Sequence, residues 1–144
     1  MRSPRTELYV HLIWATWDRL PLVTPGLKEP LLAAIIAKCR DLGAQTVAVE
    51  AMPDHVHLLA RFPSTLSIAV LVKETKGASS HLATHVLAPD AFFKWQGAYA
   101  AFTVAAKDVP AVKSYIANQA SHHGRGDIRP EWEHLGTDDH EPSE

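Results

Sequence analysis

Two histidines separated by a single valine are the residues of this sequence with the clearest potential for chemistry. His55 and His57 lie in the stretch PDHVHLLARF, residues 53–62, at the start of an apolar run. Because side chains alternate across a β-strand, both imidazoles would project from one face, roughly 6–7 Å apart. Imidazoles bind a divalent cation well when a third group joins them. The pair is a candidate metal site or, alternatively, two hydrogen-bonded histidines in a core or at a sheet rim.

The stretch YIANQASHH, residues 115–123, offers partners for that pair. Tyr115 and Gln119 are four residues apart, so they share one face of a helix. Two histidines and a carboxamide oxygen would hold a cation that polarises a phosphate oxygen, with positions left open for substrate. Attack by the tyrosine would then form a covalent phosphotyrosine. The alternatives are an amphipathic tyrosine at the rim of the core and a solvent-exposed glutamine.

Hydropathy patterns predict the strands and helices that must position these residues. The predicted order is strand 7–17, helix 27–43, strand 44–52, strand 55–62, helix 67–87, strand 98–104 and helix 109–124. Ser67 is a predicted helix cap, Pro30 lies in a first turn, Gly43 stops a helix, and Gly77 is a weak point or break. The β-α-β-β-α-β order is typical of the α+β ferredoxin-like fold, a split βαβ antiparallel sheet with helices on one face. A C-terminal helix carrying Tyr115 would follow it.

Composition and charge limit the class of protein. Of 144 residues, 47% are hydrophobic and 21% charged, and no apolar run approaches the ~20 residues that span a bilayer. The single cysteine, Cys39, excludes an intramolecular disulfide and a cysteine metal cluster, and it fits a reducing cytoplasm. Residues 1–125 carry 13 Lys/Arg against 9 Asp/Glu, whereas residues 126–144 are strongly acidic. We expect one domain over 1–125, with a mildly basic surface that permits a polyanionic partner, and an extended acidic tail over 126–144.

Four cationic or aromatic residues are candidate DNA contacts. Lys73 and Lys76 are three residues apart on one helical face, in a segment of small residues that can approach a phosphate backbone. Arg19 lies close to Trp17 in the chain, and Trp95 directly follows Lys94. Each pair puts a cation beside a flat ring on which unpaired bases can stack. The alternatives are a solvated helix face for the lysines and core or dimer packing for the tryptophan.

The motifs MPDHVHLL, KGASSHL and YIANQASHH, in this order and spacing, resemble a known family. It is that of the small single-tyrosine transposases of the HUH endonuclease class, the TnpA-like proteins of minimal bacterial insertion sequences. The stretches VHLIWATWDRLPLV and FKWQGAYAAFTV also resemble this family, so the similarity covers about residues 8–125. The family commonly carries a lysine after H-x-x-W-x-T, where this chain has Trp17. That difference removes one cation from a possible DNA surface.

The resemblance implies a metal-dependent DNA transposase that nicks single-stranded DNA and transfers the strand. His55, His57 and Gln119 would bind Mg²⁺ or Mn²⁺, and Tyr115 would form a 5′-phosphotyrosine link and free a 3′-OH. It also implies recognition of DNA hairpins near the element's ends, and a homodimer in which the helix of the nucleophile can complete the site of the other subunit. Three alternatives stay open: a domesticated relative that acts on hairpins without transposition, a non-catalytic nucleic-acid-binding module, and an unrelated metal hydrolase.

Overall fold

The computed structural model describes residues 4–119, which form four strands and three main helices. The strands are β1 (Leu8–Thr16), β2 (Gln45–Met52), β3 (His55–Phe62) and β4 (Trp95–Val104). The helices are α1 (Pro25–Asp41), α2 (Ile68–Leu82), a short π-helix (Ala83–Leu87) and α3 (Val109–Ala117). None of these helices combines the length and the apolar character that crossing a bilayer requires. The predicted acidic tail, 126–144, lies outside the described residues.

The four strands form one antiparallel sheet in the order β2-β3-β1-β4. β3 lies between β1 and β2, and β1 lies between β3 and β4, so each of the two β-α-β crossovers is split by a strand. This arrangement is the predicted ferredoxin-like fold, which is therefore confirmed. It puts β1 and β3, the two central strands, side by side over their whole lengths.

The two faces of the sheet are covered by different helices, because side chains alternate along each strand. On one face, Leu12 of β1 packs in the main core with Leu31 of α1 and Leu71 of α2. On the other face, Leu59 of β3 packs in a smaller cluster with Ile116 of α3. Helices α1 and α2 thus share one face, as predicted, and α3 covers the other.

Helix α1 begins two residues earlier than the prediction. Pro25 occupies a first-turn position, where the N–H that proline lacks would have no helical partner. Pro30, which was predicted to lie in the first turn, consequently lies inside the helix. The predicted stop is confirmed: Gly43 follows the helix with a φ of 84°, in the left-handed region that favours glycine.

The predicted break at Gly77 is wrong, because α2 continues through it to Leu82. Thr75 and Ser79 are buried on either side of the glycine, so tertiary packing holds the helix where propensity alone would weaken it. The irregular turn comes later, in the π-helix. The predicted cap is confirmed, since the Ser67 hydroxyl accepts a hydrogen bond from the backbone N–H of Val70 at 3.1 Å.

Two element ends near the site also differ from the prediction. β4 begins at Trp95, which pairs with Thr16 beyond an irregularity in the β1–β4 register, whereas the hydropathy pattern started the strand at residue 98. α3 ends at Ala117, because Asn118 departs from helical dihedral angles, and the predicted continuation to residue 124 lies beyond the described residues. Gln119 is the last described residue, so His122 and His123 of the sequence motif lie outside the described part.

Candidate active site

The two histidines of β3 lie on the sheet face that α3 covers. In the register with β1, His55 lies opposite Ala15 and His57 opposite Ile13. Both histidines are buried, and their ring centroids are 5.1 Å apart in an edge-to-face arrangement. Regular strand geometry therefore presents both imidazoles on one face, as the H-x-H spacing predicts.

Helix α3 brings Tyr115 to these histidines within a single chain. Val112 and Ile116 pack against Leu59, which seats the helix over β3. The ring centroid of Tyr115 lies 5.8 Å from that of His57, and the tyrosine is only 3% exposed. A phenol and two imidazoles that are far apart in sequence thus meet in one buried cluster. A tyrosine at a solvated rim, the alternative interpretation, is not what the structure contains.

Gln119 lies one helical turn beyond Tyr115 and is completely buried, so a solvent-exposed glutamine is excluded. Its side-chain Nε2 donates to the backbone carbonyl of Tyr115 at 3.2 Å. This hydrogen bond restrains the side-chain amide against the backbone of Tyr115. The carboxamide oxygen is the atom through which this side chain would bind a hard cation.

His11 is a member of the cluster that the sequence prediction missed. It lies on β1, is 1% exposed, and its Nε2 is 2.9 Å from Nδ1 of His57 in a hydrogen bond. Its ring stacks on that of His57 with centroids 5.1 Å apart and lies 6.5 Å from that of Tyr115. A signal was present in the sequence: an imidazole interrupts an otherwise apolar strand, just as in β3.

Asp54 links His55 to Arg19 through contacts of its two carboxylate oxygens. Oδ1 of Asp54 is 2.7 Å from Nδ1 of His55, and Oδ2 of the same carboxylate is 3.3 Å from Nε of Arg19. Asp18 and Arg19 both have positive φ angles, 53° and 55°, so a tight turn after β1 brings the guanidinium to this position. Arg19, predicted to contact DNA, is exposed but paired in this way with the turn before β3.

The hydrogen bond with His55, with help from Arg19, holds the pKa of Asp54 below its usual value. A carboxyl group whose pKa is lowered by folding stabilises the native state above its unfolded pKa of about 3.9, and that contribution is lost as the pH falls through the folded pKa. We therefore expect Asp54→Asn, which cannot titrate, to be less stable than wild type at pH 5, with the gap narrowing toward pH 3. Urea unfolding of both proteins across this range measures it. A gap that is constant with pH would contradict the assignment.

The donor set of the cluster suits a divalent cation. Among residues 4–119, no group of three or more His, Cys, Asp or Glu side chains is arranged to hold a metal ion. The amide oxygen of Gln119 stays the predicted third ligand. Nδ1 of His55 and of His57 each make a hydrogen bond, so both rings would bind through Nε2. An amide oxygen is a ligand that Mg²⁺ and Mn²⁺ favour, whereas imidazole nitrogens are more typical ligands of softer divalent cations. The choice of Mg²⁺ or Mn²⁺ therefore comes from the family resemblance.

The other three predicted DNA contacts lie elsewhere, along a groove between α2 and β4 of about 670 Å³. Lys73 is exposed at this groove. Lys76 is 6% exposed, and its ammonium donates to the backbone carbonyls of Gln96 and Gly97 at 2.6 and 3.2 Å. Trp95 is buried, so the core-packing interpretation describes its ring, and the indole N–H donates to the Ser79 hydroxyl at 3.0 Å.

An exposed aromatic ring with a cation over it lies at one end of β4. Trp17 is 41% exposed, and Nζ of Lys94 lies 4.1 Å from its ring centroid. Lys94 also lines the α2–β4 groove. Lys94 is the neighbour of Trp95 in the chain, but its ammonium lies over the ring of Trp17. Lys94, which directly precedes β4, thus places a positive charge beside Trp17, the position at which the family commonly carries a lysine.

Comparison with known proteins agrees with this architecture. The family profile described as "Transposase IS200 like" matches residues 4–119. The ISDra2 transposase TnpA of Deinococcus radiodurans is 32% identical over 127 residues, which cover 78% of this chain and 84% of that protein.

Two solved structures resemble the chain. A crystal structure of a candidate transposase from Deinococcus radiodurans R1 superposes with a TM-score of 0.60 at 30% identity, over 83% of this chain and 98% of that one. A REP-associated tyrosine transposase bound to a REP hairpin superposes with a TM-score of 0.63 at 20% identity, over 94% of this chain and 82% of that one, and so shares the fold. Since the profile spans all the described residues and the curated relative aligns over most of both chains, this protein belongs to the IS200-like transposase family.

Proposed function

We propose that this transposase nicks single-stranded DNA and rejoins it through a covalent 5′-phosphotyrosine on Tyr115, with Mg²⁺ or Mn²⁺ held by His55, His57 and Gln119. The observation that carries the proposal is the 5.8 Å separation of the Tyr115 and His57 rings in one buried cluster. A tyrosine that served only as packing would not require the imidazoles of His11 and His57 beside its ring.

The reaction is a transfer of one phosphoryl group between two oxygens. Oη of Tyr115 attacks the phosphorus of a phosphodiester and loses its proton, while the bond from phosphorus to the 3′ oxygen breaks. That oxygen takes a proton and leaves as a 3′-OH, and the 5′ phosphate stays on the tyrosine. Because one phosphodiester replaces another, a later attack by a 3′-OH can reverse the step and rejoin a strand without an external energy source.

The neutral tyrosine is a weak nucleophile, since its free pKa is about 10. A bound divalent cation would supply positive charge for the phosphate oxygens of the substrate. The protein's own part is to exclude water and hold the groups in register: α3 keeps the phenol beside His57, and the turn before β3 keeps His55 oriented through Asp54. Because Tyr115 is only 3% exposed, a DNA strand can reach its hydroxyl only after side chains that bury the cluster move aside.

The α2–β4 groove is the surface that we propose for the DNA outside the reacting strand. Lys73 and Lys94 line it, and Trp17 offers an exposed ring beside Lys94. Cations attract the phosphate backbone, and exposed rings stack with unpaired bases. The REP-associated relative is bound to a hairpin, which supports hairpin ends as the substrate. As direct DNA contacts, Lys76, Trp95 and Arg19 stay predictions, as does the homodimer.

Removing one groove charge is expected to weaken hairpin binding in a salt-dependent way. For Lys73→Gln or Lys94→Gln, the slope of log affinity against log salt should fall by about one for each lost phosphate contact. Lys38→Gln is the matched control, because Lys38 lies on α1 and pairs with Asp41 at 3.9 Å. Fluorescence anisotropy with a labelled DNA hairpin between 50 and 200 mM salt measures the slopes. Equal slopes for all variants would place the DNA on another surface.

The proposed chemistry is tested by incubating the protein with an end-labelled single-stranded hairpin substrate and Mg²⁺. A labelled band that resists denaturant and migrates with the protein is the expected covalent adduct. Hairpin binding without an adduct, under conditions in which a related transposase reacts, would instead indicate a binding module. Hydrolysis that leaves no adduct and survives loss of the Tyr115 hydroxyl would indicate a metal hydrolase.

A further inference from the structure

We infer that His11 is a positioning residue for the candidate metal ligand His57. It would act through the hydrogen bond between the two rings, which fixes both the orientation of His57 and the location of its proton. The inference rests on the proposed function, because it concerns the cation site of that function. His11 is the histidine of the H-x-x-W-x-T stretch, to which the resemblance gave no role, and it lies 46 residues before His57.

The burial of His11 calls for an explanation. It sits on the middle strand of the sheet, opposite Leu59 on one side and Phe102 on the other, positions where an apolar side chain would pack well. A polar group removed from water costs free energy unless hydrogen bonds compensate for it. His11 is 1% exposed, and its Nε2 lies 2.9 Å from Nδ1 of His57, an ordinary hydrogen-bond length. The hydrogen bond to His57 therefore compensates for part of the cost of burying this imidazole.

The direction of this hydrogen bond follows from the chemistry of a ligating imidazole. A neutral imidazole carries one proton, so a ring that binds a cation through Nε2 must hold its proton on Nδ1. His57 would then donate from Nδ1, and Nε2 of His11 would be the acceptor. That requires His11 to carry its own proton on Nδ1. Partners of this kind fix the tautomer and the ring orientation of metal-binding histidines.

The two candidate ligands on β3 are thus held by different elements. His55 is held from the turn before the strand, through Asp54, and His57 from β1, through His11. The His11 ring also stacks on that of His57, with an angle of 30° between planes, which resists rotation of the ligand ring. Loss of His11 would remove its hydrogen bond to His57 and its stacking on that ring, and it would leave the bond between Asp54 and His55 in place.

Manganese affinity in the absence of DNA tests the inference directly. We expect His11→Leu, which has no acceptor, to bind Mn²⁺ about 10- to 100-fold more weakly than wild type. His11→Gln can present an amide oxygen near the position of Nε2, and it should restore the affinity to within about threefold of wild type. Electron paramagnetic resonance titration measures free Mn²⁺, and thermal unfolding checks that each variant is folded. Equal affinity of His11→Leu and wild type, or no rescue by a folded His11→Gln, would overturn the inference.

A second measurement on the wild-type protein needs no variant. In the Mg²⁺-saturated protein, long-range ¹H–¹⁵N correlation spectra should show the Nδ1–H tautomer for both His11 and His57. The Nε2–H tautomer for either ring would overturn the inference, as would wild-type protein that binds no Mn²⁺. The adduct assay is scored separately: an adduct with unchanged Mn²⁺ affinity in His11→Leu rejects only the role of His11. A tenfold loss of affinity without any adduct rejects only the proposed reaction.

Discussion

Tyr115→Phe is expected to abolish the covalent DNA adduct and to reduce strand cleavage by about three orders of magnitude or more, as removal of a nucleophile does. The substitution deletes one oxygen and leaves the aromatic ring, which packs beside His57 and His11. Thermal unfolding of both proteins checks that the variant is folded. Denaturing gels of the labelled adduct and cleavage rates measure the two effects.

Tyr9→Phe is the matched control for this experiment. Tyr9 lies on the same sheet face and packs in the small cluster under α3, so the substitution removes a hydroxyl from a similar environment. Its ring contacts the Arg61 guanidinium rather than the histidines. We expect wild-type amounts of adduct from Tyr9→Phe. Adduct at the wild-type level from Tyr115→Phe would show that another group attacks the DNA, and it would reject the proposed mechanism.

His57→Ala is expected to lose most of the DNA cleavage activity, and a divalent cation should no longer stimulate what remains. A cation that stabilises charge on phosphate contributes several kcal/mol to the transition state, and each 1.36 kcal/mol is a factor of ten in rate, so the loss should be about 10³-fold. Treating the wild-type protein with EDTA should produce the same loss. Added Mn²⁺ should restore the EDTA-treated protein and leave His57→Ala inactive.

His81→Ala controls for the loss of an imidazole in general. His81 is an exposed residue near the end of α2, where its ring lies 4.6 Å from that of His85. Its cleavage rate and its response to EDTA should match those of wild type. If His57→Ala instead cleaved at the wild-type rate and remained sensitive to EDTA, the cation would be held by other groups and the assignment of His57 would be wrong.

Much of the architecture was predictable because the periodicity of a strand or helix is local. The alternation in β1 and β3 indicates which residues share a face, and a spacing of four puts Tyr115 and Gln119 on one side of α3. The element order alone narrows the sheet to the ferredoxin-like topology. The errors were also local: Gly77 has low helix propensity, but the burial of its neighbours outweighs that preference.

The environments that the sequence does not determine are those that depend on contacts between distant segments. Lys76 and Lys73 share a helix, yet the first is buried against the backbone of β4 and the second faces the groove. Trp95 was a candidate platform for bases, but its indole packs in the core against Phe93 and Trp14. Hydropathy does not distinguish these cases, because lysine and tryptophan each have an apolar part that can be buried and a polar end that needs a partner.

The sequence by itself determines the residue types, their spacing and the order of the elements. These were enough to identify four residues as one candidate active site: His55, His57, Tyr115 and Gln119. Whether they meet depends on the tertiary structure, because α3 must cover the face of the sheet opposite α1 and α2. Ile116 of α3 packs against Leu59 of β3 on that face. The pairing of His11 with His57 likewise depends on the β1–β3 register. Periodicity reports which side chains point the same way, whereas only packing between distant elements selects which of them touch.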